Sequence, residues 1–489
     1  MKPINLKPAE TGTRIVETAC PEKRSDSREK STAGIHMSGN IEEMARNAEK
    51  GSIRLAGASG EARNRALKAM AQALDENRDR IFAANKKDLD AADKAVREGK
   101  MKAALWDRLK ITDAKLENMI SGIRSVAELE DPVGKTLSTV EIDEGLTLYQ
   151  ISCPIGVIGV IFEARPDVVP QVMSLCLKSG NATIFKGGSE ALNSNRELFN
   201  ILREAVRTVP EIPEESFQLL ETRDEVAQML ELDEYIDLLI PRGSNDFVRY
   251  IKDNTRIPVL GHTSGICHAY IDPSADIVTA VKVCEDAKIQ YPAACNAIET
   301  MLIHKDIAGR FLPEMAETYI RDKVELRCDE AATEILKKAG LADKAAAAGL
   351  LKPAAEEDWD TEYNEMILSV MIIDSAEKAI DHINHHGSHH TDIILATDEK
   401  VIDAFTTLVD SADVMVNASS RFADGFRFGK GAEVGISTNK IHTRGPVGME
   451  GLMIYKYILR GNGHIVADYE GGPKKYNHRY TNEKYCRLQ

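Results

Sequence analysis

A regular alternation of strand-like and helical segments, beginning at Ile155, constrains this chain more than any other feature. The strand-like segments are short and apolar, as in "IGVIGVIF" and "ATIFKGG", and helical patterns such as "DVVPQVMSLCLKSG" and "ALNSNRELFNILREAV" follow them. Strands that alternate with crossover helices form a parallel sheet with helices on both faces. The pattern therefore predicts an α/β fold of the doubly wound, nucleotide-binding type rather than an eight-unit barrel.

Further segments surround this region. A helical period runs from Ile41 to about Arg124, and "VEIDEGLTLYQISCP" then alternates as a hairpin or edge strand does. After Gly265 a second alternation begins, with "ICHAYID", the helix "IVTAVKVCEDAKI", "TMLIH", a charged helical stretch to about Gly349, "MILSVMIID", "DIILAT" and "ADVMVNASS". "YKYILRGNGHIVADYE" predicts a late strand. A chain of 489 residues with two such alternations predicts two or three domains.

Charge and cysteine usage exclude several classes of protein. A net charge of −15 repels nucleic acid and anionic lipid, so neither is expected as a partner. The apolar run "PIGVIGVIF" is far shorter than the ~20 residues of a membrane helix. Eight scattered cysteines without a CxxC pair predict reduced thiols in the cytoplasm. Residues 1–36 are polar, without the apolar segment of a secretory signal, and we expect a flexible leader there.

Cys295, in "YPAACNAIETMLI", is the candidate nucleophile. Pro292 interrupts the chain before it and a helix-like period follows, which predicts a sulfur near the N–H groups of a helix start, where a thiolate is favoured. The alternative is a small buried side chain, as predicted for Cys176 and Cys284, which lie on apolar helical faces. The residue pattern alone leaves both interpretations of Cys295 open.

Three other motifs have both a functional and a structural interpretation. In "PRGSND", Gly243 and Ser244 follow a strand and open a helix, which suits a pyrophosphate but also suits a turn with an N-cap. "NHHGSHHTD" holds four histidines, but Gly387 and Ser388 break any helix and no ligand spacing is present, so no metal is expected. "GKGAEVG" lacks the spacing and the preceding strand of a dinucleotide loop.

Several long segments carry a family resemblance. "PIGVIGVIFEARPDVVPQ", "SGNATIFKGGSEALNSN", "YPAACNAIETMLIH", "HHGSHHTD" and "GFRFGKGAEVGISTNKIHTRGPVGMEGL" occur in an order that resembles the gamma-glutamyl phosphate reductases of the aldehyde dehydrogenase superfamily, from about Met37 to Ile465. The resemblance implies an aldehyde dehydrogenase-like α/β fold with three parts. These are a Rossmann-like NADP-binding domain (37–140 and 153–264), a catalytic domain (265–445), and a β oligomerisation arm with C-terminal tail (141–152 and 446–489).

The resemblance also implies the reaction. The expected activity is NADPH-dependent reduction of L-glutamyl 5-phosphate to L-glutamate 5-semialdehyde in proline biosynthesis, through a thioacyl intermediate on Cys295. Arg165 and the Cys295 N–H are the expected oxyanion donors, and Asn296 is included in the catalytic set. Aldehyde dehydrogenases carry a water-activating glutamate where this chain has Val259 and Leu260, so phosphate is the expected acyl partner.

Cofactor and substrate contacts follow from the same resemblance. Lys186 matches a lysine near the adenosine ribose, and Glu362 matches a glutamate on the nicotinamide ribose. Ser189 stands where NAD-preferring relatives often have a glutamate, which favours NADPH, although Glu190 is adjacent. The candidate substrate-binding residues, near phosphate or carboxylate, are His389, Lys440, His442 and Arg444.

Partners and alternatives complete the interpretation. The resemblance implies a homo-oligomer and a functional pairing with glutamate 5-kinase. A sister hypothesis is a hydrolytic aldehyde dehydrogenase that oxidises a free aldehyde to an acid. A third hypothesis, from a different class, is a catalytically silent nucleotide-binding or scaffold protein.

Overall fold

The computed structural model describes residues 39–101, 103–221, 225–431 and 433–486, and the expected leader at 1–36 lies outside them. The predicted helical region contains five helices and the predicted hairpin contains two strands. They are α1 (Gly39–Gly57), α2 (Gly60–Glu76), α3 (Arg78–Arg97), α4 (Ala103–Leu109), α5 (Asp113–Glu128), β1 (Thr136–Asp143) and β2 (Leu146–Pro154).

The first predicted alternation forms a four-stranded parallel sheet in the order β5-β4-β3-β6. Its elements are β3 (Val157–Phe162), α6 (Val168–Ser179), β4 (Ala182–Gly187), α7 (Leu192–Arg207), β5 (Phe217–Leu220), α8 (Glu225–Leu230), β6 (Leu238–Arg242) and α9 (Asn245–Asp253). The strand expected in "IPVLG" is wrong, since Val259 makes only a single bridge to Leu239.

Every residue of β3 and β4 is buried because helices cover both faces of this sheet. On β3, Ile158, Val160 and Phe162 pack with α2, α5, α6 and α7. Val157 and Ile161 point to the other face and pack with α1, α8 and α9. Alternate residues of β3 thus point to opposite faces, and both faces are buried. The segment therefore shows no alternation of apolar and polar residues.

The second alternation forms a seven-stranded parallel sheet in the order β10-β9-β11-β8-β7-β12-β13. Its elements are β7 (Cys267–Ile271), α10 (Ile277–Ile289), β8 (Ile298–His304), α11 (Lys305–Arg321), β9 (Glu325–Cys328), α12 (Glu330–Lys338), α13 (Ala342–Ala347), β10 (Leu351–Pro353), β11 (Ile367–Ile373), α14 (Ala376–His386), β12 (Thr391–Leu395), α15 (Glu399–Leu408) and β13 (Asp413–Val416). The charged stretch predicted as helix alone contains β9, a four-residue strand too short to show a clear period.

The remaining strands belong to two antiparallel sheets. β14 (Gly435–Ser437) and β15 (Gly445–Val447) pair with each other, while β16 (Met453–Arg460) and β17 (Arg479–Thr481) join β1 and β2 in a sheet of order β16-β2-β1-β17. The strand expected near the C-terminus is β16, and it is an edge strand with exposed Tyr455, Tyr457 and Leu459. Among the described helices, none combines the length and the hydrophobicity that a bilayer crossing requires.

Candidate active site

Cys295 lies in a turn between α10 and β8, not at a helix start. The turn is closed by the Ala294 N–H on the Tyr291 carbonyl (3.2 Å) and the Ala297 N–H on the Ala294 carbonyl (2.9 Å). The predicted helix after Cys295 is wrong, because the apolar residues from Ile298 onward belong to the fully buried strand β8. A short apolar run fits either structure, and here the sheet decides.

The burial of the cysteines separates Cys295 from the others discussed. Cys295 is half-buried and lines a cavity of about 1850 Å³, so its thiol is reachable. Cys176 and Cys284 are fully buried, as predicted, and burial raises the pKa of Cys176 to about 12 and that of Cys284 further. Neither can supply a thiolate at neutral pH.

Three adjacent parallel strands bring two histidines to Cys295. The strands β8, β7 and β12 are neighbours, and Cys295, His262 and His390 each lie shortly before one of them. The amino ends of parallel strands meet at one edge of a sheet, so residues far apart in sequence meet there. A ring nitrogen of each histidine and the Cys295 Sγ all lie within 4.8 Å of one another.

This cluster was missed by the sequence analysis, which singled out His389 from the histidine-rich segment. His390 is the residue that lies beside Cys295, whereas the His389 Nδ1 contacts the Asp410 carbonyl at 2.7 Å. A one-residue shift reverses the side on which a side chain lies next to a strand, and the pattern of the segment does not fix that side.

Guanidinium groups from both parallel sheets line the same cavity as Cys295. Arg165 follows β3, is 41% exposed at its side chain, and lines the cavity with a 3.5 Å contact to Asp167. Arg242, at the end of β6, also lines the cavity, and burial together with Arg165 lowers its pKa to about 10. Burial, and next the charge of Arg427, lowers the pKa of Arg421. A negative charge on the Cys295 sulfur would raise the pKa of both Arg242 and Arg421. The sequence analysis singled out neither arginine.

The cavity extends into the crevice between β3 and β6, where the strand order of the first sheet reverses and where doubly wound folds commonly bind ligands. Gly243 and Ser244 line it, but the Ser244 N–H donates to the Glu163 carboxylate at 2.9 Å. A side chain at Gly243 would meet that carboxylate at 2.5 Å. The backbone site at the start of α9 is thus shaped for an anion, and Glu163 supplies the anionic oxygen in this conformation.

The other predicted cofactor residues divide into two groups. Ser189 and Glu362 line the cavity, and the Glu362 Oε2 accepts a hydrogen bond from Asn245 at 2.6 Å. Glu190 is turned toward the backbone, where its Oε1 accepts from the Ala164 N–H at 2.6 Å. Lys186 is buried, donates to the Gly187 carbonyl at 2.5 Å, and lies outside the lining residues.

The predicted substrate-binding residues near the C-terminus also lie outside the lining residues of the cavity. Lys440 and Arg444 pair with Asp410 at 2.5 and 3.0 Å, and His389 lies 3.9 Å from the same carboxylate. The His442 Nε2 contacts the Gly451 carbonyl at 2.8 Å. Asn296, by contrast, lines the cavity and donates to the Ala423 carbonyl at 2.8 Å, and its buried Oδ1 has no hydrogen-bond partner among the residues that the structure describes.

A reachable cysteine, guanidinium groups and a nucleotide-type crevice share one cavity, an arrangement that suits an oxidoreductase with a dinucleotide cofactor. The aldehyde dehydrogenase family model matches residues 24–335. The gamma-glutamyl phosphate reductase of Methanosarcina mazei is 60% identical over 450 residues, which cover 92% of this chain and 99% of that protein. The reductase of Acetivibrio thermocellus is 51% identical over 446 residues, or 91% of this chain and 99% of that protein.

A solved structure agrees with these relatives. The gamma-glutamyl phosphate reductase of Thermotoga maritima superposes with a TM-score of 0.81 at 38% identity, covering 87% of this chain and 99% of that one. The chain therefore belongs to the aldehyde dehydrogenase family and, within it, to the gamma-glutamyl phosphate reductases. The aldehyde dehydrogenase-like fold expected from the sequence is confirmed, and the chain is an oxidoreductase that takes a nicotinamide cofactor.

Proposed function

We propose that this protein reduces L-glutamyl 5-phosphate to L-glutamate 5-semialdehyde and phosphate with NADPH, on the route to proline, through a thioester on Cys295. The observation that carries the proposal is the position of Cys295. Its half-buried thiol opens into the same cavity as the crevice between β3 and β6. An acyl group on the sulfur and a dinucleotide in the crevice would therefore share one space.

The cavity suits a nicotinamide dinucleotide. Its volume of about 1850 Å³ exceeds the ~300–1,000 Å³ of ordinary small-molecule pockets, as two ligands require. Gly243 and Ser244 would hold the pyrophosphate once Glu163 gives up the Ser244 N–H, and Glu362 would hold the nicotinamide ribose. When bound, the reduced nicotinamide supplies the hydride. Preference for NADPH is supported by Ser189, which offers no carboxylate, although the adjacent Glu190 also lines the cavity, with its Oε1 bonded to the Ala164 N–H.

The acyl phosphate would meet cations on the side of Cys295. Arg165 offers the planar fork of donors that suits both an oxyanion and a leaving phosphate. Arg242 adds positive charge in a buried position, where charge interactions are weakly screened. Asn296 and the Cys295 N–H complete the proposed oxyanion donors. We propose one of two roles for the residues that lie outside the cavity lining. They support the loop next to the cavity, or they bind substrate after that loop changes conformation; they are Lys440, His442, Arg444 and His389.

Phosphate rather than water is the proposed acyl partner. Val259 and Leu260 are apolar and Leu260 is fully buried, so this segment has no carboxylate to activate water. The experiment that tests the proposal follows reduction of NADP by glutamate 5-semialdehyde with and without phosphate or arsenate. We expect turnover to require one of these two anions. We also expect Cys295→Ser to lose turnover while it still binds the dinucleotide. Turnover without either anion would favour the hydrolytic aldehyde dehydrogenase. Absence of turnover in the wild type would favour a catalytically silent protein.

We further propose a cytoplasmic homo-oligomer that pairs functionally with glutamate 5-kinase. The exposed Tyr455, Tyr457 and Leu459 on the edge strand β16 support an arm that pairs with another copy. The assignment of residues 37–140 and 153–264 to the cofactor domain, 265–445 to the catalytic domain, and 141–152 and 446–489 to the arm is part of the same proposal. Sedimentation of the full chain tests the oligomer.

A further inference from the structure

The two histidines beside Cys295 have no role in the mechanism above. The His262 Nδ1 contacts the Ile436 carbonyl at 3.0 Å, and the His390 Nδ1 contacts the Thr391 hydroxyl at 2.8 Å. Because a carbonyl can only accept, the His262 Nδ1 carries the proton and its Nε2 carries the lone pair. A ring nitrogen of His262 lies within 4.8 Å of the Cys295 Sγ, so this imidazole is a candidate proton acceptor, since such contacts often tighten when substrate binds.

The two histidines differ in their access to substrate. His262 lines the cavity, whereas His390 is fully buried and lies outside the lining residues. The two rings meet edge to face with centroids 5.0 Å apart, so His390 limits the movement of the His262 ring. The His390 Nε2 has no hydrogen-bond partner within the described residues and is buried away from solvent.

We propose that His262 accepts the proton of the Cys295 thiol and delivers it to the leaving phosphate, and that His390 is a positioning residue for His262. This inference rests on the proposed function. His262 stands in "VLGHTSG", two residues after Leu260, in the segment where aldehyde dehydrogenases hold their glutamate base.

Electrostatics support a neutral His262. Burial lowers the pKa of its imidazole, and the nearby charge of Arg242 acts in the same direction. The Ile436 carbonyl, Glu362 and Glu433 act in the opposite direction. The imidazole therefore starts neutral at pH 7 and can take up a proton. Burial and the charge of Arg242 make the imidazolium that forms acidic enough to release the proton again.

The step balances in atoms and charge. The thiol S–H bond breaks and the proton moves to the His262 Nε2, while the sulfur attacks the acyl carbon. The C–O bond to phosphate breaks, and the departing phosphate oxygen takes the proton from His262, which becomes neutral again. The hydride that a bound nicotinamide would supply adds to the thioester carbon, and the C–S bond then breaks. The sulfur leaves as a thiolate, which takes up one proton from water.

The test compares His262→Gln and His262→Ala with His390→Phe and with the control His385→Gln, which changes an exposed histidine on α14. Reductive turnover, dissociation of NADPH and thermal melting are measured for each full-length variant. We expect kcat to fall about 100-fold in both His262 variants, at the lower end of general acid–base effects, with NADPH binding unchanged. His390→Phe, which keeps a ring, should lose less, and His385→Gln should match wild type.

A second measurement separates proton transfer from a structural role. Added imidazole should restore part of the turnover of His262→Ala but not that of Cys295→Ser, because a free base can enter the vacated space. The rate of iodoacetamide labelling of Cys295 at pH 7, followed by mass spectrometry of its peptide, should fall about tenfold in His262→Gln. Labelling needs no substrate, so it tests His262 even if the proposed reaction fails.

The outcomes are decisive. Wild-type turnover with His262→Gln retaining more than half of kcat and the same labelling rate would overturn the inference while leaving the proposed function intact. Absence of turnover in the wild type would overturn the proposed function, and labelling alone would then decide the role of His262 as a base. If His262→Gln does not fold, rescue of His262→Ala by imidazole tests the role of His262 instead. A folded His262→Ala variant that imidazole does not rescue would count against proton transfer by His262.

Discussion

The tight packing of Gly265 against Cys295 gives a quantitative prediction. A Cβ on residue 265 would lie 2.7 Å from the carbonyl carbon and the Cα of Cys295, short of the 3.4 Å at which ordinary van der Waals contact begins. The Cys295 backbone must therefore move by about 0.7 Å or more in Gly265→Ala. A misplacement of ~1 Å at a reacting group costs on the order of 100-fold, so we expect kcat to fall 10- to 100-fold.

The assay is steady-state turnover together with NADPH dissociation and urea unfolding. Dinucleotide binding should be unchanged, because Gly265 contacts the thiol loop rather than the crevice between β3 and β6. The overpacked site should also lower the free energy of unfolding by about 1–3 kcal/mol. Gly309→Ala is the matched control, since nothing lies within 4 Å of a Cβ there on helix α11. If Gly265→Ala turns over within twofold of Gly309→Ala, the claim that this glycine fixes the nucleophile is refuted.

Three further predictions concern stability and the phosphate site. His382 is packed edge to face on Trp359, and burial lowers its pKa to about 3. The unfolded chain protonates this histidine below pH ~6.5 and the folded chain does not, so stability falls as pH falls. Between pH 7 and pH 5, the free energy of unfolding in urea should fall by about 2 kcal/mol more in the wild type than in His382→Phe. An equal pH dependence of unfolding in the two proteins would contradict this. Lys288→Met leaves Glu299 buried without its 2.6 Å partner and should lower the free energy of unfolding by about 3–5 kcal/mol, whereas a loss under 1 kcal/mol would show that the pair is dispensable. Arg165→Lys keeps the charge but loses the fork of donors, so kcat should fall about tenfold, and a change confined to NADPH binding would argue against the oxyanion role.

The local period of apolar residues predicted many of the helices and strands. The residues of α10 are those of the predicted helix, and β3 and β4 fall within the predicted apolar segments. Hydrophobic period and flanking turn residues act over a few residues, which is the range of a helix turn or a strand. The same range explains the failures, since "IPVLG" and the residues after Cys295 are short apolar runs that fit a helix, a strand or neither.

The active-site cluster depended on the order of strands. Nothing in the sequence near Cys295 points to His262 or His390, and the histidine-rich segment drew attention to the wrong neighbour. These three residues meet because β8, β7 and β12 lie side by side in parallel register, with their amino ends at one edge.

The sequence by itself determined the alternation of strands and helices, the charge, and the family to which the motifs belong. The tertiary structure alone decided that Cys295 opens into a cavity, that Glu163 occupies the start of α9, and which histidine faces the sulfur. The physical reason is that side-chain period is a local property of the backbone. Proximity across a sheet depends instead on which strands pair and in what register.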